Sequence, residues 1–450
     1  MDGKTSKQLF ILGAGVDIPL GLPTANGLIP ALAEFTSPDG LGYKIHSALK
    51  AKLPRLYFSF DKFVDNAVST FLEKQLRQPT VLTEYIDKLK VGYADLSSEK
   101  VDLFREIVLR IQQIHKANEI PSDLAGRIQK IAFPNNERDI SDENLIKLRG
   151  IELTRSPQTA VERILLESIR TRAEDNDLEK AFNSYLVNQI FGFETLLVEY
   201  FAGFYTKSEA DIKKYLYMSW ILWSYFRMKM AEVNGRSGRG FYDLLDALPE
   251  TPSILTFNYT NFFSSRTRDR ARHFHGDCES YIRFDTRQLI GREDDRIKTA
   301  NDADSISALI EQLEIEVPAG KYYMPSIIPP MAFKPVISVE YLEEWYKGGQ
   351  AVENANQIII IGYSFNYTDE HFNDLLRKKA SGKQLIVINP EIDDLTKKVC
   401  GLLGKAENIL NNVAKAGFQG RACNGLLFLK ARAEELTVEK TKDILGLNNN

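Results

Sequence analysis

Cysteine is scarce in this chain of 450 residues: Cys278, Cys400 and Cys423 are widely separated and form no CxxC pair. That excludes a disulfide framework and a zinc ribbon. Long apolar runs are also missing. The longest, Tyr215 to Phe226, is closed by Lys214 and Arg227, far short of the ~20 residues a membrane helix needs. Charge of one sign is not in excess either, because 57 Lys and Arg against 61 Asp and Glu leave a net charge of -4. Neither a phosphate backbone nor an anionic lipid surface is therefore an expected partner. No internal repeat recurs at periods of 20 to 50 residues. The segment Met1 to Lys7 is polar and precedes only four apolar residues, Leu9 to Leu12, so neither a signal peptide nor a lipidation motif is read and a cytoplasmic protein is expected.

What is present suits a folded protein. Hydrophobic residues make up 44% and charged residues 26%, which excludes disorder for most of the length. At roughly 150 residues per domain, the length implies about three domains, or one large domain with an insertion. Leu9 to Leu12 reads as a buried strand stopped by Gly13-Ala14-Gly15, and Ala25 to Phe35 as a helix with Thr24 as its N-cap. From about Phe58 to Leu248, apolar residues recur every three or four positions; Tyr215 to Phe226 reads as a buried helix and Phe133 to Glu143 as a loop. Beyond Pro252 strands return at Ile254–Thr256, Met324–Ile328, Gln357–Ile361, Leu385–Asn389 and Leu426–Leu429, with Arg287 to Asp304 as a charged surface loop. The expected fold is α/β, a Rossmann-like, mostly parallel sheet with a large α-helical insertion. Residues 1–57 and 250–430 would form a discontinuous nucleotide-binding domain, 58–249 the insertion, and 431–450 a C-terminal helix and frayed tail.

The glycines after the first strand lack Cβ atoms, which lets backbone approach a pyrophosphate near a helix N-terminus. The strict GxGxxG fingerprint fails, because Ile18 stands where the third glycine belongs, and a hydride-transfer enzyme is disfavoured. Four further polar segments lie at or just after strand ends, where open α/β sheets bind ligands: Thr256-Phe257-Asn258-Tyr259-Thr260, His273-Phe274-His275-Gly276-Asp277, Gly362-Tyr363-Ser364-Phe365 and Ile388-Asn389-Pro390. His273 reads as a residue packed beside His275, and Pro329-Pro330 with Lys334 as a rigid turn in preference to a border of the site.

Together these segments resemble the sirtuin-like superfamily, and more closely its bacterial anti-phage branch: Thoeris effectors, sirtuin-like partners of HerA-type ATPases and, more distantly, AbiH-type abortive-infection proteins. Gly13 to Pro23 is similar to the family's GAGxSxxxGxP loop, with Asp17 in place of Ser. Thr256 to Thr260 is similar to TxNYD, with Thr260 in place of Asp, and His275-Gly276-Asp277 matches the HGD of the catalytic histidine. Gly362 to Phe365 resembles the start of GxSxxD, with Asp369 two residues beyond the usual acid. The resemblance implies that Asn258 and His275 are catalytic and that NAD is held by Gly13, Ala14, Gly15, Asp17, Pro23, Thr24, Thr256, Tyr259, Gly362, Ser364, Phe365 and Asn389, with no metal. It implies an NAD glycohydrolase releasing nicotinamide and ADP-ribose, an effector of anti-phage defence gated by homo-oligomerisation, a HerA-type ATPase or another defence partner. The residue types suit the chemistry: an amide orients water and an imidazole takes a proton. For Asp17 and Asp369 a capping role weighs as much as ligand contact. The alternatives are a non-catalytic NAD- or ADP-ribose-binding scaffold, and an ADP-ribosyltransferase or deacylase; the absent four-cysteine module removes the usual scaffold for deacylation.

Overall fold

The computed structural model describes residues 8–447 apart from 78–79, 118–120, 122, 125–126, 128–175, 237, 292, 330, 332–333, 335–337, 406–409 and 424. The expected loop Phe133–Glu143 lies outside the described residues. The chain forms two compact units, one of Met1–Ala25, Phe35–Leu56 and Glu194–Asn450, the other of Asn26–Glu34 and Tyr57–Phe193.

The first unit is built on an eight-stranded sheet. Its strands are β1 (Gln8–Leu12), β2 (Ser253–Thr256), β3 (Ala271–His273), β8 (Gln357–Ile361), β9 (Gln384–Ile388), β10 (Asn411–Lys415), β11 (Phe418–Cys423) and β12 (Leu426–Leu429), in the order β10-β11-β12-β9-β8-β1-β2-β3. From β12 to β3 every neighbouring pair is parallel, and β10 and β11 add an antiparallel edge. The run Gln357–Ile361 is buried throughout, as a central parallel strand requires when both its faces are covered. The strand order reverses at β1, flanked by β2 on one side and β8 on the other, and the crevice at such a reversal is where open α/β sheets place ligands.

A second sheet of β4 (Gly276–Arg283), β5 (Gln288–Ile290), β6 (Ile315–Glu316) and β7 (Lys321–Ile327) is antiparallel, in the order β5-β4-β7-β6. It takes up the expected strand Met324–Ile328. Part of the expected loop Arg287–Asp304 belongs here too, as β5 and the helix Asp295–Thr299, where Ile297 and Ala300 supply buried contacts that a charged composition masks. The helix Glu209–Asn234 packs on this sheet: Trp220 Nε1 donates to Tyr323 O at 3.0 Å and Arg227 Nη2 to Ile297 O at 2.7 Å. Tyr215, Trp220 and Trp223 are wholly buried, as the all-round apolar run Tyr215–Phe226 predicts.

The second unit is helical among its described residues. It includes Phe60–Arg77, Thr80–Gly92, Glu99–Ala117 and Asp177–Ile190, the last started by Asn176 accepting from the Leu178 and Glu179 amides. The helix expected from Ala25 begins at Leu28, after a 3-10 turn over Ala25–Gly27.

Candidate active site

β1, β2, β8 and β9 end side by side, and the loops that leave them carry most of the residues the sequence singles out. Gly13 donates to Ile361 O and Gly15 to Gly362 O, both at 3.0 Å, so the loop after β1 is fastened to the loop after β8. A Cβ on Gly13 would lie 2.5 Å from Gly362 O, and one on Gly15 2.7 Å from Gly362 Cα; Gly362 itself takes φ +63°. The contact thus demands glycine on both sides, and the amides of Gly13 and Gly15 are engaged by protein rather than aimed outward. Phe365, in the same loop, is buried with φ +51°, a conformation costly for an aromatic residue. Ala14, Thr24 and Ser364 are exposed and Pro23 half-buried, while Asn389 closes its own turn by accepting from the Glu391 amide at 2.9 Å.

β2 delivers Thr256, whose hydroxyl accepts from the Asn258 amide at 3.1 Å. The Asn258 side chain, also buried, donates through Nδ2 to Gly13 O at 3.1 Å. It further meets the buried Asp17 carboxylate, which accepts from the hydroxyls of Thr260 and Tyr242. Burial pushes Asp17 up to about 6, against the lowering effect of Thr260, Tyr242 and Asn258. Its side chain caps no turn. His273 is half-buried and bonds Asn258 O through Nδ1 at 3.1 Å.

His275 follows β3. Its ring lies edge-on to Phe257 at 5.1 Å and 6.2 Å from the Tyr259 ring, the two neighbours of Asn258. Tyr259 is anchored by its hydroxyl donating to Ile328 O at 3.0 Å. His275 Nε2 meets Asp369 Oδ1 at 2.8 Å, and the same oxygen accepts from Lys334 Nζ at 3.0 Å. Tyr363 donates to the other Asp369 oxygen at 3.2 Å. Asp369 stands at the start of the helix Glu370–Lys379 yet makes no side-chain cap, so its carboxylate serves the cluster. Burial would raise the Asp369 pKa, but His275 and Lys334 outweigh it and hold the carboxylate well below its usual range. Burial lowers His275, opposed by Asp369 and reinforced by Lys334. Burial also lowers Lys334 and raises Glu194, a fourth charged group of the cluster, to which Asn366 donates at 3.2 Å.

Glu194 is the residue that sequence reasoning missed, and Lys334 one that it weighed at the border of the site and set aside for a turn. The wholly buried Lys334 side chain reads as part of a proline turn until the fold carries it to Asp369, and Glu194 looks like an ordinary acid in a helix's first turn. Among the described residues no group of three or more His, Cys, Asp and Glu is arranged to hold a metal. Nor is any described helix long and apolar enough to cross a membrane. One cavity of about 500 Å³ opens at the opposite, amino-terminal edge of the sheet, beside Gln8, Ser253 and Arg270, and has no part in this cluster.

No family model matches the chain, and no curated protein matches it. Solved structures align with part of the chain at low similarity. A Sir2 homologue in complex with NAD is 14% identical, with 53% of this chain and 76% of that one covered at a TM-score of 0.33. A Sir2 homologue mutant in complex with ADP-ribose is 14% identical, covering 54% and 80% at a TM-score of 0.34.

Proposed function

We propose that the chain is an NAD glycohydrolase that uses Asn258 and His275. The observation that carries this reading is the buried His275–Asp369–Lys334 cluster, set against the residues flanking Asn258 at the carboxyl ends of parallel strands. His275 Nε2 faces Asp369, and hydrogen bonding with the Phe257 backbone also favours the charged ring, while burial and Lys334 outweigh them and hold the ring toward its neutral, proton-accepting form.

In the reaction, the bond between nicotinamide and ribose C1′ breaks and its electron pair passes to the nicotinamide nitrogen. A water oxygen bonds C1′, and the water's proton goes to His275 and then to solvent. Asn258 Oδ1 orients the water, because Nδ2 donates to Gly13 O and so turns the oxygen away from the glycine loop. Substrate must displace one of the contacts now made by His275. By the motif resemblance, the reading extends to an anti-phage effector held inactive until it assembles with itself or with a HerA-type ATPase.

Chromatography of NAD incubated with the protein tests the chemistry. Slow release of nicotinamide and ADP-ribose is expected from the isolated wild type, faster with its activating partner, and at least ~100-fold less under either condition from Asn258→Ala and His275→Ala at unchanged melting temperature. Full activity of the isolated protein at cellular NAD levels would remove the gating. One observation favours a second reading, a non-catalytic NAD- or ADP-ribose-binding subunit: Gly13, Gly15 and Gly362 are explained by loop-to-loop contact alone. It predicts that NAD raises the melting temperature and is recovered intact, even with candidate partners present.

A further inference from the structure

Among the described residues the eight-stranded sheet has one covered edge and one open edge. At β3, Ala271 is buried, and just beyond the strand Trp345 Nε1 donates to Phe274 O at 2.8 Å. At β10, the other edge, Asn411, Asn412 and Ala414 are exposed and Val413 and Lys415 half-buried. Natural sheets blunt an open edge with proline, a bulge or an inward-pointing charge. β10 has none of these. Its sequence is Asn-Asn-Val-Ala-Lys, its register against β11 runs unbroken along the strand, and its single charge stands at one end.

Which backbone groups face outward follows from the turn. Ala416 and Gly417 alone join β10 to β11, at φ +53° and +81°, the two left-handed residues of a type I′ hairpin. In such a hairpin the closing pair, Lys415 and Phe418, is hydrogen-bonded. Lys415, Val413 and Asn411 therefore turn their N–H and C=O groups to β11, and Asn412 and Ala414 turn theirs away. The far side of β11 has the same phase: Gln419, opposite Ala414, has its carbonyl engaged away from β10, accepting from the Lys430 amide at 2.8 Å. Among the described residues no backbone group bonds the outward side of Asn412 or Ala414.

This edge is complementary to itself. When a second copy is turned antiparallel about a two-fold axis at Val413, Asn412 meets the second copy's Ala414 and Ala414 its Asn412, both as hydrogen-bonded pairs that use all the outward groups. Val413 meets Val413 in the closer, non-hydrogen-bonded pair, and Lys415 meets Asn411. Moving the axis to Asn412 or Ala414 leaves one of those two residues opposite chain outside the strand. Charge permits the pairing as well, because the two Lys415 residues fall about 14 Å apart at ~3.4 Å per residue, beyond the screening length of about 8 Å at physiological salt.

We propose that β10 is a self-pairing edge, through which two copies of this chain join their sheets antiparallel about Val413. Two strands this short bury less than the ~1,200 Å² of a standard interface, so association is expected to depend on concentration, with Kd of about 10–100 μM. Self-pairing is independent of NAD cleavage, and it gives a surface to the assembly with itself that the proposed function invokes.

Sedimentation of the full-length protein from about 1 μM to about 1 mM tests the association. The wild type should pass from monomer to dimer over that range. Ala414→Pro removes an outward N–H and keeps the bonds to β11, whereas Val413→Lys sets two ammonium groups opposite each other. Each should weaken association about tenfold or more at little change in melting temperature. The register is read by mild oxidation in a Cys423→Ser background, where the remaining thiols, Cys278 and Cys400, are buried. There Val413→Cys should cross-link to itself, and Asn411→Cys should cross-link with Lys415→Cys but not with itself, since only directly opposed residues come within disulfide reach. A wild type that stays monomeric at about 1 mM would overturn the proposal. So would a dimer that a folded Ala414→Pro leaves intact, or one in which Val413→Cys fails to cross-link. Nicotinamide release enters none of these readouts, so failure here leaves the NAD-cleaving reading standing.

Discussion

Asp369 Oδ1 receives both His275 Nε2 and Lys334 Nζ, so one oxygen sets the charge state of two bases. Lys334 depresses the His275 pKa while Asp369 raises it. Removing the ammonium in Lys334→Met therefore raises the His275 pKa, and the acid limb of kcat/KM for nicotinamide release should move to higher pH. In Asp369→Asn the opposite holds, with the limb moving to lower pH and a loss of rate from the freed imidazole. A pH–rate profile of the three proteins checks both signs. Asp369 and Asp17 each stand where a cap would be expected, and neither caps. Burial among complementary donors outweighs the local preference of aspartate for helix starts, and sequence holds no signal for that competition.

At the scale of elements, the site depends on how the loops after β1 and β8 meet. Gly362 at φ +63° has its Cβ direction 2.7 Å from Gly15 Cα. Gly362→Ala combines a left-handed residue with backbone overlap and should cost about 2–4 kcal/mol. Gly382, also at positive φ (+75°) but with nothing within 4 Å of its Cβ direction, carries only the conformational penalty, so Gly382→Ala should cost about 1 kcal/mol. Chemical denaturation of the two variants separates crowding from strain. Five of the parallel strands, β1, β2, β8, β9 and β12, were legible because short continuous apolar runs such as Gln357–Ile361, bounded by polar residues, match a strand buried on both faces. The strands β3, β5 and β6, two or three residues each, and the partly exposed β10 were not, since so few residues show no period.

For the molecule as a whole, buried ionisable groups tie stability to pH. Asp17 titrates at about 6 in the fold and near 3.8 when unfolded, so the native state holds the proton more tightly between those values. Its contribution is complete below about pH 4 and is lost as pH rises through 6, a swing of about 3 kcal/mol at 1.36 kcal/mol per unit. Asp17→Asn cannot undergo that loss. Its melting temperature relative to wild type should therefore climb between pH 4 and pH 7. His275 acts in the other direction: its folded pKa is depressed, so its contribution is present above about 6.5 and fades as the pH falls below it.

Consecutive residues were enough to read the main strand runs, the buried helix Tyr215–Phe226 and the placing of Asn258 and His275 in loops beside strand ends, because strand and helix periods and glycine stops are local properties. Tertiary structure alone decided that Lys334 and Glu194 join His275 around Asp369, that Gly13 and Gly15 face Gly362, and that Asp17 answers Thr260 across 243 positions. Those partnerships depend on which loops a folded sheet brings together and on the cost of leaving a buried charge unpaired, and neither quantity exists until the chain has closed on itself.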